Sequence, residues 1–299
     1  MTNTLGTTDH LNDEARAALK LSDEERIKHI DSAHWIGYTR ATQILDKLEY
    51  LLTFPKRHRM PNLLIVGETN NGKTMTVNRF EEKHKGYDNE EEDAITLPVF
   101  VVQAPHTPDE ALLYEKMLVK LGAPFKFSER PSKKQFQVMH ILEQTSTRVL
   151  VIDEIHNIIA GSLNRQRAFL NMLKNFSNDL QIPIVGVGTE DAFNAINTDP
   201  QLSNRFEPMT LPKWVMNDEY LRLLASFELM LPLKKPSLLI ERSLAERVLY
   251  MSEGIIGEIS TVLSRAATAA IHDKQERITL KTLKSLTWTQ PSERPRKPI

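Results

Sequence analysis

The sequence predicts an α/β protein with a P-loop, built as a parallel central sheet flanked by helices and followed by a small all-helical domain. Three observations carry that prediction. Short runs of Val, Ile and Leu recur through the middle third, helix-patterned stretches separate them, and the strand signal stops after Pro212. Runs apolar at every position suit strands buried on both faces, and strand–helix alternation makes right-handed βαβ units. Composition agrees, since 40% hydrophobic and 26% charged residues in a chain of 299 can bury a sizeable core. No apolar run approaches the ~18 residues of a membrane span, and the N-terminus lacks a signal peptide's apolar stretch. The absence of cysteine excludes a disulfide scaffold, a thiol nucleophile and cysteine-ligated metal, and it fits a cytoplasmic location. Lys plus Arg is 38 against 39 for Asp plus Glu, so nucleic-acid binding would need a local patch or many copies acting together.

Taken in order, residues 1–20 are polar without a clear period and read as a mobile arm. Ser22 and Glu25 form a capping box at a helix start. Ile44, Leu45, Leu48, Leu51 and Leu52 then follow helical spacing up to Phe54-Pro55, and the basic stretch Lys56–Arg59 leads into a strand. Strands are expected at Asn62–Val66, Leu97–Val102, Val149–Ile152 and Ile182–Val187. Two more capping boxes, Thr107-Pro108-Asp109-Glu110 and Ser132-Lys133-Lys134-Gln135, are expected to open helices between them. Helical patterns over Asp218–Leu229, Ser243–Met251, Ile259–Ala270 and Thr279–Leu286 make the C-terminal helical unit. The expected organisation is therefore an arm (1–20), an α/β nucleotide-binding domain (21–212), a helical domain (213–287) and a disordered, basic, proline-rich tail (288–299).

The chemistry concentrates at strand ends. Gly67-Glu68-Thr69-Asn70-Asn71-Gly72-Lys73-Thr74 fits G-x-x-x-x-G-K-[ST], lies between an apolar strand and a helix, and runs on into Met75. Its glycines let backbone N–H groups converge on a phosphate at a helix N-terminus. Lys73 would neutralise phosphate oxygens, and the Thr74 hydroxyl would ligate Mg²⁺. Val149–Ile152 ends in Asp153-Glu154, where Asp153 suits the Mg²⁺ sphere and Glu154 suits orienting and polarising an attacking water. Thr189 ends the last apolar strand, either as a hydroxyl for the γ-phosphate or lytic water or as a plain N-cap. No arginine near these residues evidently offsets phosphoryl charge in cis; Arg205, in Leu202-Ser203-Asn204-Arg205-Phe206, is either a solvated surface charge or would do so from a neighbouring subunit. His156 stands beside two carboxylates, but without a second imidazole it reads as a helix-start histidine rather than a zinc ligand.

Order and context of these motifs resemble an initiator-like AAA+ ATPase. More narrowly, the chain resembles the TniB family, related to TnsC, the AAA+ regulators of Tn7-like and Tn5053-like DNA transposition. The resemblance rests on Arg59–Gly67, Asp153–Asn157, Gly186–Thr189, Gln201–Pro208 and Leu211–Trp214, and covers residues 22–287. It implies a P-loop AAA+ core with a helical lid, ATP held with Mg²⁺ at subunit interfaces, and homo-oligomeric rings or helical filaments on double-stranded DNA. It further implies recruitment of a transposase, alongside target-selection proteins, with hydrolysis turning the assembly over. Thr189 falls at sensor 1 and Arg205 at the arginine finger; His34–Tyr38 falls where such proteins cover adenine, or Trp35 is simply core.

The lid turn Gly254-Ile255-Ile256-Gly257-Glu258 departs from the AAA+ pattern, placing glutamate near the sensor-2 arginine position. Arg265 would substitute, or the lid does not sense the γ-phosphate, which suits a slow switch. Initiator-like relatives hold duplex DNA in the interval that here carries Lys116, Lys120, Lys126, Arg130, Lys133 and Lys134. Such a charge run is either a solvated face or a source of sequence-independent backbone contacts from Lys126, Arg130 and Lys133, each repeated around an assembly. Two other readings stay open: a nucleotide-locked scaffold with negligible turnover, and an initiator or helicase-loader ATPase. Arg294–Lys297 reads as a docking element or a solubilising end.

Overall fold

The computed structural model describes residues 8–32, 34–89, 94–197 and 203–294. The chain divides into two compact units, Arg40–Leu211 and the residues up to Thr39 together with those from Pro212 onward.

The first unit is built on a five-stranded parallel sheet. Its strands are β1 (Asn62–Gly67), β4 (Val99–Gln103), β5 (Val149–Asp153), β6 (Ile184–Gly188) and β7 (Phe206–Leu211), in the order β4-β5-β6-β1-β7. β1 and the four-residue apolar run of β5 are buried throughout, as two-sided burial requires. Residues alternate between the faces. Leu64, Val66, Phe100, Val102, Leu150 and Ile152 meet Leu113, Met117, Val138, Leu142, Leu173 and Phe176 from α5 (Glu110–Lys120), α6 (Pro131–Gln144) and α7 (Leu163–Leu180). α3 (Thr39–Thr53) runs beside the edge strand, its Arg40 donating to the Thr210 carbonyl at 2.7 Å and its Lys47 pairing with Glu207 at 2.5 Å. α4 (Lys73–Lys83) follows β1 and packs on the sheet. A separate hairpin pairs β2 (Tyr87–Asn89) with β3 (Ala94–Thr96).

Several expectations move. β7 is a strand that the sequence pattern hides: Pro208 interrupts it, only its two ends are buried, and it forms an edge. The helix expected from Thr107 starts at Glu110, because the Asp109 carboxylate accepts from Leu112 N (3.1 Å) and caps it instead. The helix expected from Ser132 starts at Pro131, whose fixed φ suits the first position and needs no side-chain cap.

The second unit is helical. α9 (Asp218–Met230), α10 (Arg242–Ser252), α11 (Ile256–His272) and α12 (Leu280–Ser285) surround Tyr220, Leu224, Val248, Val262, Leu263 and Ala266. α8 (Glu190–Asn197) belongs to the first unit. The N-terminal segment joins the helical core and does not form an arm. α1 (Asp13–Ala18) buries Ala15 and Ala18, Leu11 is 2% exposed, and Asn12 N donates to the Leu229 carbonyl at 2.8 Å. α2 (Asp23–Asp31) has the capping box expected at Ser22. Residues 1–7 of the expected arm lie outside the described residues. The tail is also ordered as far as Arg294. Trp288 donates to the Met251 carbonyl (2.7 Å), and the Arg265 and Arg294 guanidinium groups each lie over its ring, 5.4 and 5.2 Å from the centre. Residues 295–299 lie outside the described residues.

Candidate nucleotide-binding site

β1 ends at Gly67, and residues 67–72 form the loop that leads into α4. Gly72 has φ 83°, a left-handed conformation that glycine adopts without strain, so the chain turns sharply into the helix. Asn71 locks the loop from below, its side-chain amide donating to the Leu211 carbonyl at 2.7 Å. Glu68, Thr69, Asn70, Thr74 and Met75 stay exposed around the loop. The buried Lys73 ammonium donates to the Gly67 and Glu68 carbonyls at 2.8 and 2.7 Å. Burial pushes its pKa below the usual lysine range, against the opposing charges of Glu154, Asp153 and Glu68.

β6 lies between β1 and β5, so the sheet brings three strand ends side by side at its C-terminal edge. Thr74 donates to Asp153 Oδ2 at 2.9 Å, joining the loop to the acidic strand end. Two oxygen donors on adjoining elements fit Mg²⁺, which prefers oxygen ligands. Glu154 follows with φ 55° and ψ 35°, left-handed geometry held by its own N–H on Asp153 Oδ1 (2.8 Å). Val66 pairs with Gly188, so Thr189 emerges level with Gly67, about 4.8 Å away across the sheet. Its hydroxyl oxygen is buried without a hydrogen-bond partner among the described residues. A buried orphan at the edge of the phosphate loop fits a polar ligand, whereas an N-capping hydroxyl would be satisfied. The sheet therefore brings together Gly67, Lys73, Thr74, Asp153, Glu154 and Thr189.

Arg205 lies elsewhere. It precedes β7, whose Phe206 pairs with Asn62 at the start of β1, so it sits at the opposite edge of the sheet from Gly67. Six residues of strand, about 20 Å, separate the two levels. Its guanidinium donates to Asn178 Oδ1 at 2.8 Å, and burial together with the nearby Arg59 charge lowers its pKa. Arg59, which the sequence shows only as part of the basic stretch Lys56–Arg59 and of the run Arg59–Gly67 with no role of its own, reaches the Asn204 carbonyl at 3.5 Å.

Lys126 and Arg130 are exposed between α5 and α6, while Lys133 pairs with Glu129 at 2.6 Å. Lys134 is buried on Glu115 (2.5 Å), and Lys120 pairs with Glu81 (2.9 Å). Among the described residues no three His, Asp or Glu side chains gather into a metal-binding group. Also among the described residues, no helix is long and apolar enough to cross a membrane. In the helical unit the near-buried Glu258 is held by both guanidinium nitrogens of Arg294. Tyr38 packs edge-on to Trp214, and burial pushes its phenol up to about 12.

Sheet order, phosphate loop and acidic strand end define the AAA+ class of P-loop fold. The Aeropyrum pernix ORC2 protein, in ADPNP-ADP complexes, superposes with a TM-score of 0.60 at 15% identity, covering 87% of this chain and 70% of its own. Cdc6p from Pyrobaculum aerophilum gives 0.57 at 16% identity, covering 86% and 68%. The Aeropyrum pernix ORC1 protein in complex with DNA gives 0.55 at 15% identity, covering 87% and 68%. No curated protein sequence matches significantly. The family described as "Bacterial TniB protein" matches residues 26–216, and the chain belongs to the TniB family.

Proposed function

We propose that this chain is an ATP-hydrolysing regulator of DNA transposition. It binds ATP at interfaces between its own copies, assembles as a ring or helical filament on double-stranded DNA, and recruits a transposase and target-selection proteins. Hydrolysis then disassembles it. The observation that carries this reading is the placement of Arg205 at the sheet edge opposite the phosphate loop. An arginine finger so placed serves a nucleotide bound by another copy, which makes assembly a condition of turnover. Lys73 would hold the phosphates and Thr74 with Asp153 would hold Mg²⁺, which supplies charge neutralisation when bound. Glu154 takes the proton of the attacking water, and Thr189 fixes the phosphate or the water.

DNA contact is assigned to the exposed Lys126 and Arg130, with Lys133 joining them if phosphate competes with Glu129. A nucleotide-locked scaffold is the second reading, favoured by Glu258 at the sensor-2 place and its engagement by Arg294. ATPase rate and sedimentation, with and without duplex DNA, separate the two for wild type and Glu154→Gln. DNA-stimulated turnover that falls by about 10²–10⁴-fold in the variant, with ATP-dependent assembly kept, supports the regulator. Assembly with no turnover in either protein supports the scaffold, and failure of ATP-dependent assembly on DNA removes both readings.

A further inference from the structure

We propose that His156 is a positioning residue for the hydrolytic carboxylate, holding one oxygen of Glu154 so that the other faces the attacking water; this rests on the hydrolytic role of Glu154 given above. His156 Nε2 lies 3.2 Å from Glu154 Oε2. Both side chains are partly buried, 26% and 35% exposed, so neither is a freely solvated surface group. The contact is built by the turn that follows β5. Ile155–Ala160 winds as a 3₁₀ helix, with Asn157 N donating to the Glu154 carbonyl at 3.0 Å. Its fully buried Ile155 is seated on the two glycines of β6. A Cβ at Gly186 would stand 3.0 Å from Ile155 Cδ1, and one at Gly188 would stand 3.2 Å from Ile155 Cγ2 and 3.3 Å from His156 N. The bare strand thus lets the turn lie against it and fixes the backbone from which the imidazole projects.

The other ring nitrogen sharpens the assignment. His156 Nδ1 is buried with no hydrogen-bond partner among the described residues. A histidine kept for capping or for a core network has that atom satisfied. Among the described residues the ring's ion-pair contact is with Glu154, and meeting it as a donor requires the proton on Nε2. Catalytic hydrogen bonds are often loose before the site is loaded and tighten in the reacting complex. In that complex Nε2–H donates to Oε2, leaving Oε1 to accept the water proton as the water oxygen bonds to the γ-phosphorus and the bond to the bridging oxygen breaks. A base oriented by a third group is the general logic of activated nucleophiles. The left-handed backbone of Glu154 fixes where its side chain starts, and His156 fixes where it ends.

Full-length His156→Ala and His156→Gln test the role, with kcat and KM for DNA-stimulated turnover and equilibrium binding of a fluorescent ATP analogue. The expected result is a kcat lower by about 10–100-fold in His156→Ala, with KM and nucleotide affinity within about twofold of wild type. His156→Gln, whose amide N–H reaches the same carboxylate, recovers most of the loss. In a Glu154→Gln background, His156→Ala changes nothing further. A raised KM at unchanged kcat, a faster kcat, an equal loss in both variants, or an additive loss in the Glu154→Gln background overturns the proposal. Turnover lost in Glu154→Gln but indifferent to His156→Ala sinks the positioning role alone. Turnover that survives Glu154→Gln, or is absent from wild type, sinks the hydrolytic reading and this role with it.

Discussion

Asn62 shows how one polar side chain sets the site's frame. It is 2% exposed at the first position of β1, and its Oδ1 accepts from Ile184 N at 2.8 Å while its own N–H donates to the Arg205 carbonyl at 3.0 Å. One residue thus pins β1 to the start of β6 on one side and to the approach to β7 on the other. β1 leads into the phosphate loop and β6 into Thr189. Asn62→Leu keeps the branching of the side chain, with somewhat more bulk, but strands the Ile184 N–H in the core, a loss of about 1–3 kcal/mol. Chemical denaturation should show that loss as a lower midpoint at unchanged slope. A variant as stable as wild type would mean that the amide is satisfied some other way.

At the scale of elements, α2 is tied into the helical unit by a buried ion pair. Arg26, 1% exposed, pairs with Glu276 at 2.5 Å and also donates to the Pro232 carbonyl (2.7 Å) and Asp23 (3.0 Å). Burial alone would raise the Glu276 pKa, but the hydrogen bonds and charge of Arg26, helped by Lys234, outweigh it and leave the carboxyl below its usual range. A depressed carboxylate stabilises the fold fully above its unfolded value, about 4.3, and loses that contribution as pH falls through the lower folded value. Thermal melts should therefore show stability falling below about pH 4.3 in wild type. Arg26→Ala should cost about 3–5 kcal/mol at neutral pH and flatten the acid limb. An acid limb as steep in the variant would place the titrating group elsewhere. The sequence pattern shows the element, through the Ser22 capping box, but not this partner, which lies 250 positions away in sequence. The same contrast runs through the fold. β1 and β5 read clearly because every apolar position is buried, and the loop motif fixes the turn between β1 and α4. β7 is illegible because an edge strand with Pro208 and exposed Glu207 carries no apolar run. α1 and the segment around Trp288 look like polar ends, since each contributes only a few apolar side chains to a core built mostly by distant helices. The strand-end residues of the candidate site are legible because phosphate and Mg²⁺ chemistry asks for those residue types there; the contacts of Arg59 with the Asn204 carbonyl and of His156 with Glu154 arise only once the chain is folded.

For the whole molecule, the opposed placement of Arg205 and the phosphate loop has an arithmetic consequence. If one copy supplies Lys73 and its neighbour supplies Arg205, each variant alone, Lys73→Ala or Arg205→Ala, lacks a competent interface, though for different reasons. An assembly of Lys73→Ala copies has every arginine but no phosphate clamp; an assembly of Arg205→Ala copies has every clamp but no finger. Mixed at equal amounts and allowed to coassemble, a competent site forms wherever an Arg205→Ala loop abuts the Arg205 of a Lys73→Ala copy. Random incorporation in a head-to-tail arrangement gives this at about a quarter of interfaces. DNA-stimulated ATPase of the mixture should therefore recover toward about a quarter of the wild-type rate, while each variant alone stays near background. The dependence on mixing ratio should peak at equal amounts and fall symmetrically on either side. An Arg205 that acts as the finger has to act on another copy's nucleotide, because strand β1 keeps it about 20 Å from the phosphate loop of its own copy. A mixture no more active than its parts, under conditions where sedimentation shows coassembly, would mean that Arg205 serves the fold through Asn178 and that another group meets the phosphoryl charge. Recovery in a mixture would make the ATPase a property of the interface, with single copies on free DNA silent and neighbours on the same DNA switched on together.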